Sequence, residues 1–387
     1  MRVVGLISGT SADGIDGALV EVYGTGAAIQ IEFLEGTSQP YEADLQRRIL
    51  ALAGGATISL AELAELDDAI ATAFATTAKT LMHRPVDLIA SHGQTVFHRP
   101  ATAILGYSLQ LGRGAAIAAQ LGVPTVSDFR KADIVAGGQG APLVSPVDVC
   151  LFSHPDQHRC IQNIGGIGNL TYLPPRQEVP FGGSGLADSE VVGWDTGPGN
   201  SLLDIAVHQL SNGQQSYDPD GTWAAQGEPH GQLLQRWLSH PYFHQPPPKS
   251  TGRELFGWEF YRACVQGATE LSLSPADLLA TLTEFTAVTI AQSYRQFLPH
   301  FPDQVFLCGG GSHNAYLVNR LQQHLAPASV ATTSDLGVPV EFKEAIAFAV
   351  LGYWRWQEYP GNLPAVTGAS RAVLLGDLFM PNPTPQL

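Results

Sequence analysis

Basic residues are scarce in this sequence. Its 20 lysines and arginines are outnumbered by 35 aspartates and glutamates, which gives a formal net charge of −15. The lysines are Lys79, Lys131, Lys249 and Lys343, and none follows a glycine-rich loop. A P-loop needs a lysine directly after its glycines to reach the phosphates, so Walker-type nucleotide binding is excluded. Since no basic stripe could neutralise phosphates, we expect neither nucleic acid nor a membrane surface as a partner.

Cysteines and long apolar runs are also few. The cysteines at positions 150, 160, 264 and 308 lie far apart without a C-x-x-C pair, which is typical of reduced thiols in a cytoplasmic protein. No apolar run reaches the ~18 residues that a membrane-spanning helix needs, and the first residues do not resemble a signal peptide. Strict G-x-G-x-x-G and G-x-S-x-G motifs are absent, which removes the main signatures of nicotinamide dehydrogenases and serine hydrolases. We therefore expect a cytoplasmic protein of another class.

Three glycine-rich turns, each entered by a short apolar strand, are what the sequence does contain. They lie at residues 8–16, 163–169 and 309–312. Strands alternate with helical stretches throughout, which predicts the α/β class. The strand, turn and strand at 159–173 resemble those at 2–23, which indicates a degenerate internal duplication. With 387 residues, the chain is too long for one core, so we predict an N-terminal lobe at 1–147 and a C-terminal lobe at 148–344. A segment from about 345 to 387 would pack back on the first lobe.

The first turn combines hydroxyls, successive backbone N–H groups and two carboxylates. Glycine lets backbone N–H groups approach phosphate oxygens without a Cβ in the way. The carboxylate of Asp13 suits Mg²⁺ that is held largely through its water shell. The alternative is a structural turn whose side chains bond to their own backbone. The residues predicted to bind ATP here are Gly9, Thr10, Ser11, Ala12, Asp13, Gly14, Ile15 and Asp16.

The second and third turns suit other parts of a nucleotide. Asn163, Gly165 and Gly166 form the second predicted phosphate turn. Gly309, Gly310 and Gly311 lie between a predicted strand and a helix, where a backbone without side chains could lie against adenosine. A plain connection rarely needs three successive glycines, because they cost conformational entropy.

Asp195 is the strongest candidate for a catalytic carboxylate. It follows a predicted apolar strand at 191–194 and precedes a predicted helix near Ser201, so it lies where open α/β folds bind ligands. A positioned aspartate there could act as a general base on water or a hydroxyl. Gly197 and Gly199 clear space beside it. The alternative is an aspartate that caps the following turn or helix.

Two polar clusters follow predicted strands in the first lobe. His92, Gln94 and Thr95 follow one strand, and Asp128 and Arg130 follow another. Together they offer the donors and acceptors that a hydroxyl-rich ligand needs, and Arg130 could pair with an anionic group. The alternatives are a structural histidine at 92 and an ion pair of Arg130 with Asp128 or Asp133.

These segments, in their order along the chain, resemble those of anhydro-N-acetylmuramic acid kinases. The similar segments include 5–16 (GLISGTSADGID), 91–96 (SHGQTV), 126–130 (VSDFR), 137–143 (GGQGAPL), 195–200 (DTGPGN), 248–254 (PKSTGRE) and 308–311 (CGGG). The resemblance implies the actin-like fold of sugar kinases and heat-shock-protein ATPases, in which duplicated mixed-sheet domains flank a nucleotide cleft. It also implies an enzyme that uses ATP and Mg²⁺ to open the ring of 1,6-anhydro-N-acetylmuramate with water and to phosphorylate O6. The products would be N-acetylmuramate 6-phosphate and ADP, in peptidoglycan recycling.

The resemblance further assigns roles to single residues. Asp195 would activate the attacking water, and Glu344 would assist it. The first-lobe polar cluster, with Gly197 and Asn200, would bind the sugar. A homodimer is consistent with the resemblance. Two residues depart from the family pattern, since Ala12 replaces the usual leucine and Arg113 replaces the usual aspartate near the expected sugar site.

Two alternative functions remain open on the residues alone. One is a non-enzymatic nucleotide switch of the actin or chaperone type, which would need a peptide-binding module or a polymerising surface. The other keeps the fold but changes the sugar, since nothing in the residues alone identifies a muramyl group.

Overall fold

A computed structural model describes residues 1–9, 11–26, 28–99, 105–175 and 190–381. These residues form two compact units. Unit 1 contains the described residues of Met1–Leu151 and Phe342–Leu387, and unit 2 contains those of Phe152–Glu178 and Glu190–Glu341. Helices and strands alternate in both units, so the predicted α/β class is confirmed.

In chain order the strands are β1 (Arg2–Ser8), β2 (Gly14–Tyr23), β3 (Gln30–Pro40), β4 (Leu88–Arg99), β5 (Tyr107–Leu111), β6 (Thr125–Ser127), β7 (Arg159–Ile164), β8 (Ile167–Leu173), β9 (Val192–Pro198), β10 (Gln304–Cys308), β11 (Ser329–Thr332) and β12 (Asp377–Phe379). The α-helices are α1 (Ala43–Ala53), α2 (Leu60–Thr80), α3 (Gly114–Leu121), α4 (Lys131–Val135), α5 (Ser145–Phe152), α6 (Ser201–Leu210), α7 (Gly231–Leu238), α8 (Trp258–Glu270), α9 (Pro275–Phe297), α10 (Ala315–Leu325), α11 (Lys343–Trp356) and α12 (Pro364–Thr367). Short 3₁₀ helices cover Pro219–Gly221, Ala224–Gln226, Pro241–His244, Gly310–His313 and Thr333–Leu336.

The two sheets share one strand order. In unit 1 the path is β3-β2-β1-β4-β6-β12, and β5 pairs with β4. Strands β1 to β3 are antiparallel neighbours, whereas β4 and β6 continue the sheet in parallel from β1. In unit 2 the path is β9-β8-β7-β10-β11, again with three antiparallel strands followed by two parallel ones. The predicted duplication of a mixed sheet is therefore confirmed.

The core of unit 1 lies on both faces of its sheet. Helix α2 begins at a capping box of Ser59 and Glu62 and packs Ile70 and Phe74 into an apolar cluster with strand residues. Helix α11 covers the region of Gly5 so closely that a Cβ there would overlap the backbone oxygen of Ala345. Strand β1 and helix α11 therefore approach within a distance that only glycine permits.

The core of unit 2 is built around the long helix α9. A capping box of Ser274 and Asp277 and a proline at the first helical position define where α9 begins. One face of α9 packs Ile290 and Tyr294 into a cluster with the sheet, and Phe285 belongs to a second cluster formed with α6 to α8. None of the helices in the described residues has the length and apolarity needed to cross a membrane.

Two local predictions were wrong in their boundaries. Strand β4 continues through His92–Thr95 because its second half pairs antiparallel with β5. Likewise, β9 continues through Asp195 to Pro198 because it pairs with β8.

Candidate functional site

The first glycine turn connects β1 to β2 in unit 1. Thr10, one of the residues predicted to bind ATP, lies outside the described residues. Ala12 has a left-handed backbone (φ 50°) and a fully buried methyl group, so it belongs to the core beneath the turn. Asp13 is exposed and accepts a hydrogen bond from the Ser11 hydroxyl at 2.8 Å. The turn therefore presents a hydroxyl and a carboxylate to solvent.

Asp16, at the other end of this turn, is more enclosed than Asp13. It pairs with Ile7 across β1 and β2, and its Oδ1 accepts a hydrogen bond from Ser38 Oγ at 2.5 Å. The two carboxylates thus have different surroundings, and Asp13 is the one that is open to a hydrated cation.

Some of the predicted glycines have open space where a side chain would stand. Among the described residues, the nearest atom to a Cβ at Gly9 would be Ser11 Oγ at 3.9 Å, and the nearest to a Cβ at Gly310 would be Asn200 Nδ2 at 3.9 Å. At Gly165 the nearest atom would be Ile167 O at 3.7 Å. No positive φ is recorded at these positions. Packing and backbone conformation therefore do not require glycine there, which leaves room for the close approach of a ligand.

Other predicted glycines are required by the fold itself. Gly309 has φ 77°, and a Cβ there would overlap Asn163 Oδ1. A Cβ at Gly311 would overlap the side chain of Ile164. These contacts arise because the third turn packs directly on the second.

The second and third turns of unit 2 lie together. Asn200 donates from Nδ2 to Ile164 O at 3.1 Å and from its backbone N–H to Gly165 O at 2.8 Å. Gly199 N donates to Gly166 O at 3.0 Å. The structure thus brings Asn163, Gly165, Gly166, Asn200, Gly309, Gly310 and Gly311 into one neighbourhood.

Asp195 lies within β9, opposite Asn169 of β8, and is half-buried. Its Oδ2 accepts a hydrogen bond from the backbone N–H of Thr251 at 2.9 Å. Its own backbone N–H donates to Lys249 O at 3.2 Å. The first residue of helix α6 is Ser201 and its N-cap is Asn200, so the alternative of Asp195 as a helix cap is wrong.

The hydrogen bonds of Asp195 with Lys249 and Thr251 hold the segment 249–251 beside β9. Gly197, two residues after Asp195, has φ 146°, and a Cβ there would lie 2.9 Å from Phe243 Cε1. Glycine at 197 is therefore required for packing beside the aspartate.

A lysine and a tyrosine lie next to Asp195. Tyr242 donates its hydroxyl to Asp195 O at 2.6 Å. The ammonium of Lys249 lies 4.9 Å from the centre of the Tyr242 ring and 4.6 Å from that of Phe297. Burial lowers the pKa of Lys249 to about 8, since the charged form loses hydration. These two side chains support the strand that carries Asp195.

His92 and Arg130 are hydrogen-bonded to each other in unit 1. His92 is buried, its Nδ1 lies 2.9 Å from Gly93 O, and its Nε2 accepts from Arg130 Nε at 3.0 Å. Arg130 also donates to Gly140 O at 2.6 Å. Burial, and then the charge of Arg130, hold the pKa of His92 well below its usual range. The neutral ring therefore orients the guanidinium group.

The other residues of the predicted sugar site have different surroundings. Gln94 is buried, and its Nε2 donates to Gly9 O at 3.1 Å, so it contacts the first turn. Thr95 Oγ1 accepts from Gln110 Nε2 at 3.1 Å. Asp128 has φ 62° and forms an ion pair with Lys131 at 2.7 Å. Their predicted contacts with a sugar stay predictions.

Glu344 is the second predicted catalytic carboxylate. It lies in the first turn of α11, next to Lys343, whose Nζ is paired with buried Asp148 at 2.6 Å. Burial raises the pKa of Glu344, and the charges of Asp16 and Asp148 raise it further, whereas Lys343 and Arg130 lower it. Glu344 therefore holds a proton more readily than an exposed glutamate does.

Comparison with known proteins places these features in a family. The family model described as anhydro-N-acetylmuramic acid kinase matches residues 1–381. A protein of that name from Cyanothece sp. is 58% identical over 381 residues, which cover 98% of this chain and 99% of the relative. Another from Acaryochloris marina is 56% identical, over 98% of this chain and 100% of the relative. The chain belongs to the anhydro-N-acetylmuramic acid kinase family.

A solved structure that is similar to this kinase shares little of its sequence. The activator of 2-hydroxyisocaproyl-CoA dehydratase from Clostridium difficile, with bound ADPNP, aligns at a TM-score of 0.43 and 11% identity. The alignment covers 92% of this chain and 96% of that one. Because this TM-score is low, the actin-like, sugar-kinase fold class is assigned from the family match and the duplicated mixed sheets.

Several contacts in the kinase were not predicted from the sequence. Thr251, Tyr242 and Gln162 bond to the predicted site elements, although they were not predicted as site residues. The sequence signal that could have found Thr251 is its place within the family segment 248–254. Arg113, which departs from the family pattern, forms an ion pair with Asp68, so its positive charge has a local counter-charge.

Proposed function

We propose that this chain opens the anhydro ring of 1,6-anhydro-N-acetylmuramate with water and phosphorylates O6 at the expense of ATP. The products are N-acetylmuramate 6-phosphate and ADP, in peptidoglycan recycling and amino-sugar catabolism. The observation that carries the proposal is the family match over residues 1–381, with relatives of 56–58% identity over nearly their full length. The same match decides against a non-enzymatic nucleotide switch.

Asp195 is the proposed general base. It accepts a proton from the water that attacks C1 of the sugar, and the electron pair of the broken C1–O6 bond passes to O6. ATP, when bound, supplies the phosphoryl group that O6 receives. The N–H of Thr251 holds one oxygen of the carboxylate in place, which reduces the freedom that the base must lose in the reaction.

Glu344 is the proposed second carboxylate of the reaction, as the family resemblance implies. Its raised pKa, which results first from burial, suits a group that holds or passes on a proton in the reaction. We assign the sugar to the polar residues His92, Gln94, Thr95, Asp128, Arg130, Gly197 and Asn200. Of these, Arg130 has its guanidinium oriented by a neutral histidine, which suits an anionic carboxylate on the substrate.

The glycine turns are the proposed ATP-binding elements. Open space at Gly9, Gly165 and Gly310 would let backbone N–H groups approach the nucleotide. The described residues contain no group of three or more acidic, histidine or cysteine side chains that could hold a metal. The exposed carboxylate of Asp13 still fits Mg²⁺, because this ion commonly keeps its waters and binds one or two carboxylates and the phosphates.

We also propose a cytoplasmic location. The reaction consumes ATP, and the four cysteines, all of which lie in the described residues, form no disulfide bond. Cysteines without disulfide bonds are typical of a reducing compartment. A small-molecule sugar is the proposed partner, and a homodimer stays a prediction.

The proposal is tested by incubating the purified protein with Mg·ATP and 1,6-anhydro-N-acetylmuramate and following the product by mass spectrometry. We expect a product with the mass of the sugar plus H₂O plus HPO₃, formed in equal amount with ADP. ATP turnover that leaves the anhydro ring intact would reject the hydrolytic half of the reaction. Turnover only with other anhydro sugars or free hexosamines would reject the muramyl substrate.

A further inference from the structure

Two buried glutamines lie against the first and second glycine turns. Gln94 of β4 is 1% exposed, and Gln162 of β7 is 0% exposed. A buried amide must satisfy its donors and acceptors, because an unpaired one costs free energy. Both side chains satisfy theirs with backbone carbonyl groups in or beside the adjacent turn and with nearby hydroxyl groups.

Gln162 lies at the base of the second turn. Its Nε2 donates to Asn163 O at 3.0 Å and to Asn169 O at 2.9 Å, on the two strands that the turn joins. Its Oε1 accepts a hydrogen bond from the hydroxyl of Tyr294, on helix α9, at 3.0 Å. The amide thus fixes both ends of the turn and is itself fixed by a residue of the core.

Gln94 occupies a similar place beneath the first turn. Its Nε2 donates to Gly9 O at 3.1 Å and to Thr95 O at 3.2 Å. Its Oε1 lies 2.6 Å from Ser8 Oγ and 3.4 Å from the hydroxyl of Tyr41. Here too the amide nitrogen binds the turn and the amide oxygen faces buried hydroxyls.

We propose that Gln162 with Tyr294, and Gln94 with Tyr41 and Ser8, are positioning residues that hold the two phosphate turns in their binding conformation. The inference rests on the proposed function, since it assumes that these turns bind ATP. It gives Gln94 the task of orienting the first turn, in addition to its proposed place in the sugar site. Gln162 anchors two carbonyl groups at the base of its turn, and Gln94 anchors the carbonyl group of Gly9, so peptide planes of both turns are fixed before the ligand arrives. A turn that is already ordered loses less entropy on binding.

The decisive experiment concerns Gln162 and Tyr294 in unit 2 and removes the hydroxyl group that joins them. Tyr294→Phe deletes the donor to Gln162, and Tyr172→Phe is its matched control. Both rings are buried in unit 2, but the hydroxyl of Tyr172 bonds to His158 Nδ1 at 2.5 Å. Binding of a non-hydrolysable ATP analogue with Mg²⁺ is measured by calorimetry, together with kcat, both KM values and the melting temperature.

We expect Tyr294→Phe to weaken nucleotide binding about two- to tenfold, the range for one lost hydrogen bond. The KM for ATP should rise in proportion, while kcat at saturating ATP and the KM for the sugar should stay near wild type. Tyr172→Phe should lower the melting temperature by a similar amount to Tyr294→Phe but should leave nucleotide affinity unchanged. Equal nucleotide binding in the two variants would overturn the positioning role.

A second pair of variants tests the positioning role at the first glycine turn, in unit 1. Tyr41→Phe removes the hydroxyl near Gln94, and its control, Tyr353→Phe, removes one that bonds to Gly24 O at 2.7 Å. The two tyrosines are 7% and 6% exposed. Because the contact of Tyr41 is longer than that of Tyr294, we expect a smaller loss of nucleotide affinity than for Tyr294→Phe. If Tyr353→Phe loses as much nucleotide affinity as Tyr41→Phe, the positioning role of Gln94 with Tyr41 is overturned.

Gln162→Glu provides an independent test. It keeps the shape of the side chain but places an oxygen against the two carbonyl groups at the base of the turn. We expect a larger loss of nucleotide affinity than for Tyr294→Phe; nucleotide binding equal to wild type would overturn the inference. If the wild-type protein itself does not bind the analogue, the proposed function fails first, which is distinguishable from failure of the positioning role alone.

Discussion

Asp195 is half-buried and has one carboxylate oxygen held by the N–H of Thr251. We expect Asp195→Asn to lower kcat by about 10²–10⁴-fold, the usual contribution of a general base. Nucleotide affinity should change little, because an amide keeps the shape of the side chain. Steady-state kinetics and calorimetry measure the two effects. The exposed Asp156→Asn is the control and should retain full activity. If Asp195→Asn retains kcat, Asp195 is not the base.

A substitution at Gly9 can distinguish a role of glycine in folding from a role in nucleotide binding. In the part of the chain that the structure describes, the nearest atom to a Cβ at this position would be Ser11 Oγ at 3.9 Å, so we expect Gly9→Ala to fold with a melting temperature close to wild type. Nucleotide affinity should fall at least tenfold, because the methyl group would occupy space that a phosphate needs.

The control for Gly9→Ala is Gly231→Ala. Position 231 also has open space and starts helix α7, where alanine is the better helix former. This variant should bind nucleotide as wild type does. Unchanged nucleotide affinity in Gly9→Ala would show that the first turn does not approach the phosphates closely.

Glu284 gives unit 2 a stability that depends on pH. Burial would raise the pKa of this carboxyl, but hydrogen bonds from Arg320 at 2.6 and 2.8 Å and from His324 at 2.7 Å outweigh it and lower the pKa to about 2. Because the folded-state pKa lies below its ordinary value of 4.5, the stabilisation is present above 4.5 and is lost as the pH falls toward 2.

We therefore expect Glu284→Gln to lower the free energy of unfolding at neutral pH by about 3 kcal/mol. The difference from wild type should shrink as the pH falls from 4.5 toward 2. Urea unfolding at several pH values measures it. The exposed pair of Glu259 with Arg262 supplies the control, since Glu259→Gln should change stability little at any pH. A pH-independent effect of Glu284→Gln would contradict the prediction.

Helix α11 and strand β1 show how elements position the site in unit 1. The helix carries Glu344 in its first turn and packs on Gly5 through Ala345 and Ala349. Strand β1 leads directly into the first glycine turn. The glycine at position 5 therefore determines how closely the helix that carries Glu344 approaches this strand.

We expect Gly5→Ala to destabilise the protein by about 3 kcal/mol or more, because the new methyl group would overlap backbone atoms of α11 that cannot move independently. Thermal unfolding and the yield of folded protein measure this effect. Gly231→Ala is again the control and should melt at or above the wild-type temperature. A Gly5→Ala protein as stable as wild type would contradict the close packing.

The whole molecule contains the same sheet arrangement twice, and each copy carries a glycine turn between its first two strands. If ATP binds the folded protein, it must stabilise that state. We expect Mg·ATP at 100 times its Kd to add about 2.7 kcal/mol of stability. Differential scanning calorimetry should record a higher melting temperature.

Removal of the cation tests the assignment of Mg²⁺ by the same measurement, the shift in melting temperature. With EDTA in excess, the shift produced by ATP should become smaller, because the carboxylate of Asp13 would then face the phosphates without a compensating charge. An identical shift with and without EDTA would reject Mg²⁺ as a cofactor. The absence of any shift with Mg·ATP would contradict ATP binding.

The α/β class and the duplication could be predicted because they depend on local patterns. Two local patterns are capping boxes, such as those at Ser59 and Ser274, and the regular spacing of apolar residues. Both depend only on residues that are near one another in the chain. The ends of β4 and β9 could not be predicted, because they depend on pairing with β5 and β8. The end of a strand depends on the strand with which it pairs, and the local pattern of residues does not specify that partner.

The sequence by itself determined the glycine turns, the acidic charge and the family to which the chain belongs, since these follow from residue type and order. Only the tertiary structure decided what each polar side chain contacts. Gln94 shares its segment with His92, yet one bonds to a turn and the other to Arg130. Thr251 meets Asp195 across 56 residues. Such contacts depend on how the chain folds back on itself, which local sequence does not specify.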